Sequence, residues 1–152
     1  MEVRIARYAP QDREAVLTLA NRLSTGAAPW RDLDAVVAVT TGWVREAVDA
    51  PDGDDIWVAR ENDHVVGFVH VGTRTHWTGA VDAYVGELAV AASHTGRGIG
   101  ELLMRRAEEW AREAGHTRLT LETGAGNAPA RRFYAGLGYV TEEVVLTRDL
   151  TV

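Results

Sequence analysis

Seven apolar residues at helical spacing, Ile99, Leu102, Leu103, Ala107, Trp110, Ala111 and Ala114, constrain this chain more than any other feature. Positions i, i+3, i+4 and i+7 share one face of a helix, so the stretch predicts an amphipathic helix laid on an apolar surface. Its ends are marked as well. Gly96, Gly98 and Gly100 stand at its start, and Gly115 sits where a C-terminal cap glycine belongs. Such a stripe needs a sheet or another helix to cover it, and strand candidates lie on both sides.

The stretch "AVDAYVGELAV" before the glycines is apolar on both faces, as a central strand would be. Upstream, "IWVARE" and "HVVGFVHVGTRT" are separated by Asn62 and Asp63, which predicts a hairpin, and "HWTG" predicts the next turn. "EVRIARY" reads as a first strand. Pro10 opens a helix carrying Ala15, Val16, Leu19, Ala20 and Leu23. Leu33, Val36 and Val37, then Trp43, Val44 and Ala47, suggest one broken helix or two short ones, followed by a turn at "PDGDD". Beyond Gly115, "RLTLET" predicts a short strand, "APARRFYAGL" a short helix ended by Gly138, and "YVTEEVVLTRDL" a last strand or strand pair. The order describes one mixed α/β domain over residues 1–152, with about seven strands and four helices.

Composition narrows the function classes. The chain has 152 residues, 46% of them apolar, and no run long enough to span a membrane, so a single soluble cytoplasmic domain is expected. There is no cysteine, which excludes a thiolate metal site and an acyl-cysteine intermediate. A net charge of -6 argues against a broad nucleic-acid footprint, although all the basic residues are arginine. His64, His70, His76, His94 and His116 lack i, i+4 metal spacing, and no metal is expected.

The glycine run "TGRGIG" lies between a strand and a helix start, where unpaired N–H groups and the helix dipole favour an anion. It is not the dinucleotide fingerprint, because Glu101 stands where a final glycine is required, and it lacks the Gly-Lys-Ser/Thr ending of a P-loop. A plain turn before a helix is the competing reading. In "NAPARRFYAGLGY", Asn127 is placed as an N-cap, with Ala130, Phe133 and Leu137 on one helix face. Taken alone, Tyr134 on the adjacent flank reads as a core aromatic. Trp30 and Trp43 are expected to pack, the alternative being an aromatic wall for a substrate.

Strand, "TGRGIGELL" at a helix start, strand, then "N-x-x-A-x-x-F-Y-x-x-L-G-Y" together resemble the GNAT superfamily of acyl-CoA-dependent N-acyltransferases. The resemblance covers nearly the whole chain and is most specific between Val85 and Tyr139. It implies a largely antiparallel central sheet with a V-shaped cleft where two strands part. It implies acetyl-CoA as co-substrate, its pyrophosphate held by the main chain of Thr95, Gly96, Arg97, Gly98, Ile99 and Gly100. Thr95 stands where the family has Gln or Arg. The pantetheine amides would pair along Leu88, Ala89 and Val90, and Asn127 would contact the cofactor arm or a nearby water. Tyr134 matches the tyrosine that protonates the departing thiolate.

Glu87 is then the candidate base, directly or through water, with a substrate-binding or merely exposed carboxylate as the other reading; Asp82 and Tyr84 are nearby substitutes. The expected reaction is direct acetyl transfer to a primary amine of a small molecule: a polyamine, an aminoglycoside-like compound or an amino acid derivative. The acceptor alternatives are a protein N-terminus or a lysine. A non-catalytic acyl-CoA sensor and a nucleotide-binding regulator are alternatives of another class. Paired strand edges in such folds also suggest a homodimer.

Overall fold

In the computed structural model, residues 2–50 and 55–151 are described, so the turn expected at "PDGDD" falls almost wholly outside the described residues. The strands are β1 (Val3–Arg7), β2 (Asp55–Glu61), β3 (His64–Thr75), β4 (Val81–Val90) and β5 (Leu119–Leu121). The helices are α1 (Arg13–Leu19), α2 (Leu33–Asp49), α3 (Ile99–Glu113) and α4 (Ala128–Gly136). Spatial strand order follows chain order, with β1 to β4 antiparallel and β4 and β5 parallel. A parallel pair needs a crossover, and α3 supplies it.

The turns form as their residues dictate. Asn62 and Asp63 both take positive φ, 51° and 66°, as a two-residue hairpin between right-twisted strands requires. The β3–β4 turn closes through the His76 amide donating to the Ala80 carbonyl at 2.7 Å. Gly115 and Gly138, at φ 85° and 96°, end α3 and α4 in the left-handed conformation expected of cap glycines.

Two apolar cores sandwich the sheet. On one side Ile99, Leu103, Met104 and Ala107 of α3 bury against Val69 and Val71 of β3 and Val85 of β4, with Phe133, Tyr134 and Leu137 of α4 beside them. On the other, Val16 and Leu19 of α1 and Val44 of α2 cover Val58, Phe68 and Ala89. No helix among the described residues is long and apolar enough to cross a membrane.

Two expectations differ. The stretch expected as a broken or double helix forms the single helix α2: Asp32 caps its start by accepting from the Asp34 amide, and Thr40 and Val44 anchor its later turns in the core. The sheet among the described residues has five strands rather than seven, since residues 139–151 form no strand. Tyr139 packs on the α3 side, its hydroxyl donating to Glu108 at 3.1 Å, and further along Glu143 meets the β3–β4 turn, accepting from Trp77 Nε1 at 3.0 Å.

Candidate active site

The site begins where β4 and β5 part. Their ladder joins Ala83, Tyr84 and Val85 to Leu119, Thr120 and Leu121 and stops there, while β4 continues to Val90 against β3. Residues 86–90 therefore present one backbone edge to a cleft instead of to a strand, and Leu88, Ala89 and Val90 lie along it. The Val90 carbonyl accepts from Arg22 Nε at 3.2 Å.

At the head of that cleft the chain passes through Ala92–His94 into the glycine run. Gly96 and Gly98 take φ 76° and 79°, and a Cβ on either would meet nothing within 4 Å. The main chain thus bends through two left-handed positions facing open space, the conformation glycine adopts without strain. Gly98 is the N-cap of α3 and provides no side-chain acceptor, so the first amides of a 15-residue helix point toward that space. The positive end of the helix dipole favours an anion at such a start.

The loop is tied down from the opposite hairpin. Glu61, last residue of β2, accepts from Arg97 Nη2 at 2.5 Å and shares a 2.8 Å hydrogen bond with His94 Nε2. These two bonds, Arg97 first, hold the Glu61 carboxyl down at about 2. The Arg97 guanidinium is therefore engaged with Glu61. The Thr95 hydroxyl donates to the Ala92 carbonyl at 3.2 Å and closes the turn.

Gly100 also has a packing role that its two predecessors lack. A Cβ there would lie 3.2 Å from Phe133 Cζ, so its bare Cα is what allows α4 to pack on the first turn of α3. That contact carries Tyr134, whose ring stands edge-on to Phe133 at 5.0 Å and to Tyr139 at 5.9 Å. Burial pushes the Tyr134 phenol up to about 12, so it is protonated at neutral pH. Asn127 is the N-cap of α4: its side chain accepts from the Ala130 amide at 3.3 Å and donates to the Thr25 carbonyl at 3.3 Å.

On β4 the sequence places Glu87 opposite His70, and the two side chains meet, Nδ1 to Oε2, at 2.6 Å. Glu87 is 7% exposed, which removes the reading of an exposed strand carboxylate. The register slips here, because His70 pairs with Glu87 but Val71 pairs with Val85, leaving Gly86 as an extra residue in β4. A Cβ at Gly86 would lie 3.0 Å from His70 Nδ1, so a side chain there would crowd the imidazole that reaches the carboxylate. The bulge also re-phases the strand: Val85 belongs to the α3 core and Ala89 to the α1 and α2 core, although both are odd-numbered.

Tyr84 lies under Arg74, whose guanidinium carbon is 4.8 Å from the ring centre, and burial followed by the charge of Glu122 raises its phenol. Asp82 pairs with Arg74 in the ladder, at the far end of β4 from the glycine run. His70, named in the sequence only for lacking metal spacing, is a partner of Glu87 that no local pattern marks, because its register opposite the carboxylate depends on a bulge. Nor was Glu61 singled out, since it meets the loop only through the fold.

Trp30 and Trp43 do not pack as expected: they are 63% and 52% exposed. Trp43 instead walls an apolar groove of about 280 Å³ with Val36, Val39 and Thr40 on α2. Helix α2 needs only its Thr40 and Val44 stripe for the core, which leaves the Trp43 side of the helix uncovered.

Comparison with known proteins places these features in a wider group. The profile described as "Acetyltransferase (GNAT) family" matches residues 18–139. The rat protein N-acetyltransferase 8B is 33% identical over 88 residues, which are 57% of this chain and 40% of that protein. The chain thus matches well under half the length of this curated relative. A putative acetyl transferase from Pyrococcus furiosus superposes with a TM-score of 0.77 at 21% identity, over 98% of this chain and 100% of that one. The structure of AAC(6')-Iy in complex with the bisubstrate analogue CoA-S-monomethyl-acetylneamine superposes with a TM-score of 0.73 at 19% identity, over 98% and 99%. At these identities the superpositions establish the shared fold.

Proposed function

The chain belongs to the acetyltransferase (GNAT) family, and on that premise we propose that it moves an acetyl group from acetyl-CoA directly to a primary amine of a small molecule. The observation that carries the reading is the uncapped start of α3, with Gly96 and Gly98 opening onto empty space beside the Tyr134 helix. Residues 95–100 hold the pyrophosphate through main-chain amides. The free edge at Leu88, Ala89 and Val90 pairs with the pantetheine amides as an added strand would. Asn127 supports the site by fixing the start of α4, the helix that carries Tyr134.

In the reaction the amine nitrogen bonds to the acyl carbon and the carbon–sulfur bond breaks, with no acyl-enzyme. The amine must lose a proton, and Glu87, braced by His70, takes it directly or through water. Tyr134 faces the departing sulfur. A phenol near 12 is a weaker acid than a thiol of about 8.5, so Tyr134 acts chiefly by donating a hydrogen bond to the thiolate, which then takes its proton from solvent. A main-chain N–H at the end of β4 stabilises the tetrahedral oxyanion.

The acceptor class rests on charge and shape. Asp82, Tyr84, Glu87 and Glu122 gather polar and acidic groups along β4 and β5, and Trp30 and Trp43 offer exposed aromatic surface on the α2 side. That combination suits a compact cationic amine, and the structural neighbour bound to an acetylneamine analogue makes aminoglycosides the first class to test. The proposed setting is cytoplasmic, and the proposed assembly is a homodimer.

Free-thiol release from acetyl-CoA across polyamines, aminoglycosides and amino acid derivatives tests the reading. We expect turnover with at least one of these classes. Turnover confined to peptide N-termini or lysines would move the acceptor to protein, and acetyl-CoA binding without thiol release from any amine would make the chain a sensor.

A further inference from the structure

Two basic side chains border the glycine run, and both are engaged. His94 and Arg97 bond to the same carboxylate, Glu61. The Thr95 hydroxyl is turned back onto the Ala92 carbonyl. What remains for an anion is the start of α3, whose main-chain N–H groups are equivalent to roughly half a positive charge. A pyrophosphate carries more negative charge than that, and the side chain matched to it is arginine.

A second arginine borders the cleft from the opposite side. Arg22 lies in the 3-10 turn Ala20–Ser24 and is exposed. Among the described residues its guanidinium pairs with no carboxylate, and its contact is the Nε bond to the Val90 carbonyl at 3.2 Å. That carbonyl faces the cleft: the Ala91 amide donates to Val66 of β3 at 2.8 Å, and neighbouring residues of a strand turn their backbone groups to opposite sides. Arg22 therefore sits on an acceptor of the very edge proposed to pair with the pantetheine amides. The short turn Ala92–His94, closed by the His94 amide on the Ala91 carbonyl at 2.9 Å, leads from there to the glycine run. The backbone that carries Arg22 is pinned on the other wall of the cleft. The Thr25 carbonyl accepts from Asn127 Nδ2 at 3.3 Å, and a Cβ on Gly124 would fall 1.8 Å from the Gly26 oxygen. The side chain can thus change partners while its loop stays in place.

We infer that Arg22 is the cation of the phosphate site: it rests on Val90 in this structure, and on acyl-CoA binding it yields that carbonyl to the pantetheine arm and pairs with the phosphates. The guanidinium then exchanges a single bond to a neutral carbonyl for a charged acceptor that matches its two-pronged geometry. The inference rests on the acyl-CoA reading above and adds to it a residue far from the glycine run in sequence.

Calorimetric titration of acetyl-CoA into the wild type, R22Q and R22K, at low salt and at about 1 M salt, tests it. At low salt R22Q should bind about tenfold more weakly, with R22K between the two, and the gap between R22Q and wild type should narrow as salt rises. Protection against melting by S-acetyl-pantetheine, which has the arm without the pyrophosphate, should be no smaller in R22Q. Acetyl-CoA binding unchanged in R22Q would overturn the inference. So would a loss equal at both salt concentrations, which would mean that Arg22 only shapes the cleft. A wild type that binds no acetyl-CoA would overturn the reading of the glycine run and this inference together, whereas the other two outcomes leave that reading standing.

Discussion

The two helices that meet at the site start in opposite ways. Helix α4 begins with Asn127, which folds its own side chain back onto the Ala130 amide and so satisfies the helix from within. Helix α3 begins with Gly98, which has nothing to fold back, and its first amides face open space. A helix start that completes itself is a fixed support; one that does not is completed from outside. The closed start positions the phenol, and the open start receives the anion.

That contrast is most sharply tested at the phenol. Y134F should lower kcat about a hundredfold, the low end for losing a hydrogen-bond donor aimed at charge that develops in the transition state, while KM for acetyl-CoA changes less than about twofold. A comparable loss in KM would mean that Tyr134 binds rather than donates. Because the phenol sits near 12, the wild-type pH–rate profile should show no alkaline fall from Tyr134 below about pH 11.

Closing the open start should cost less. G98D tolerates the positive φ better than other residues and supplies both a cap and a negative charge, so KM for acetyl-CoA should rise about tenfold with kcat little changed. An unchanged KM would remove the anion site from α3. Opening the closed start is the converse: N127A should destabilise the chain by about 1 kcal/mol, a fall in Tm of about 3 °C, without a selective rise in KM. A KM rise at unaltered Tm would instead make Asn127 a direct contact for the cofactor.

The smallest effect concerns the brace behind the open start. Glu61 has its carboxyl held at about 2, below the 4.5 of a free glutamate, so its bonds to Arg97 and His94 stabilise the fold above pH 4.5. That contribution declines as pH falls through 4.5 and is gone once pH passes below about 2. Denaturant titrations of wild type and E61Q between pH 6 and 2 should therefore converge at the acid end. Parallel curves would mean that the carboxylate contributes nothing to folding.

What could be read from the sequence was local. The stripe of α3, the hairpin at Asn62 and Asp63, the caps at Asn127, Gly115 and Gly138 and the bend at Gly96 and Gly98 each depend on residues within a few positions of one another. What could not be read depends on register. His70 reaches Glu87 only because Gly86 is an extra residue, and Glu61 reaches Arg97 only because the β2–β3 hairpin ends beside the loop. Gly100 belongs to the glycine run, and the second demand on its missing Cβ comes from a helix that begins 28 residues later. The last strands failed for a related reason: their alternation is clear, but no pattern along one chain says which edge will receive it.

The extra residue at Gly86 has one more consequence. Upstream of it, β4 turns its odd-numbered side chains to α3; downstream, it turns them to α1 and α2. Were Gly86 instead drawn into the ladder opposite His70, every residue after it would be transposed. Glu87 would exchange sides with Leu88, and an acid would be written into the core where a leucine now stands. The strand is spelled in two reading frames, and the glycine is the punctuation between them.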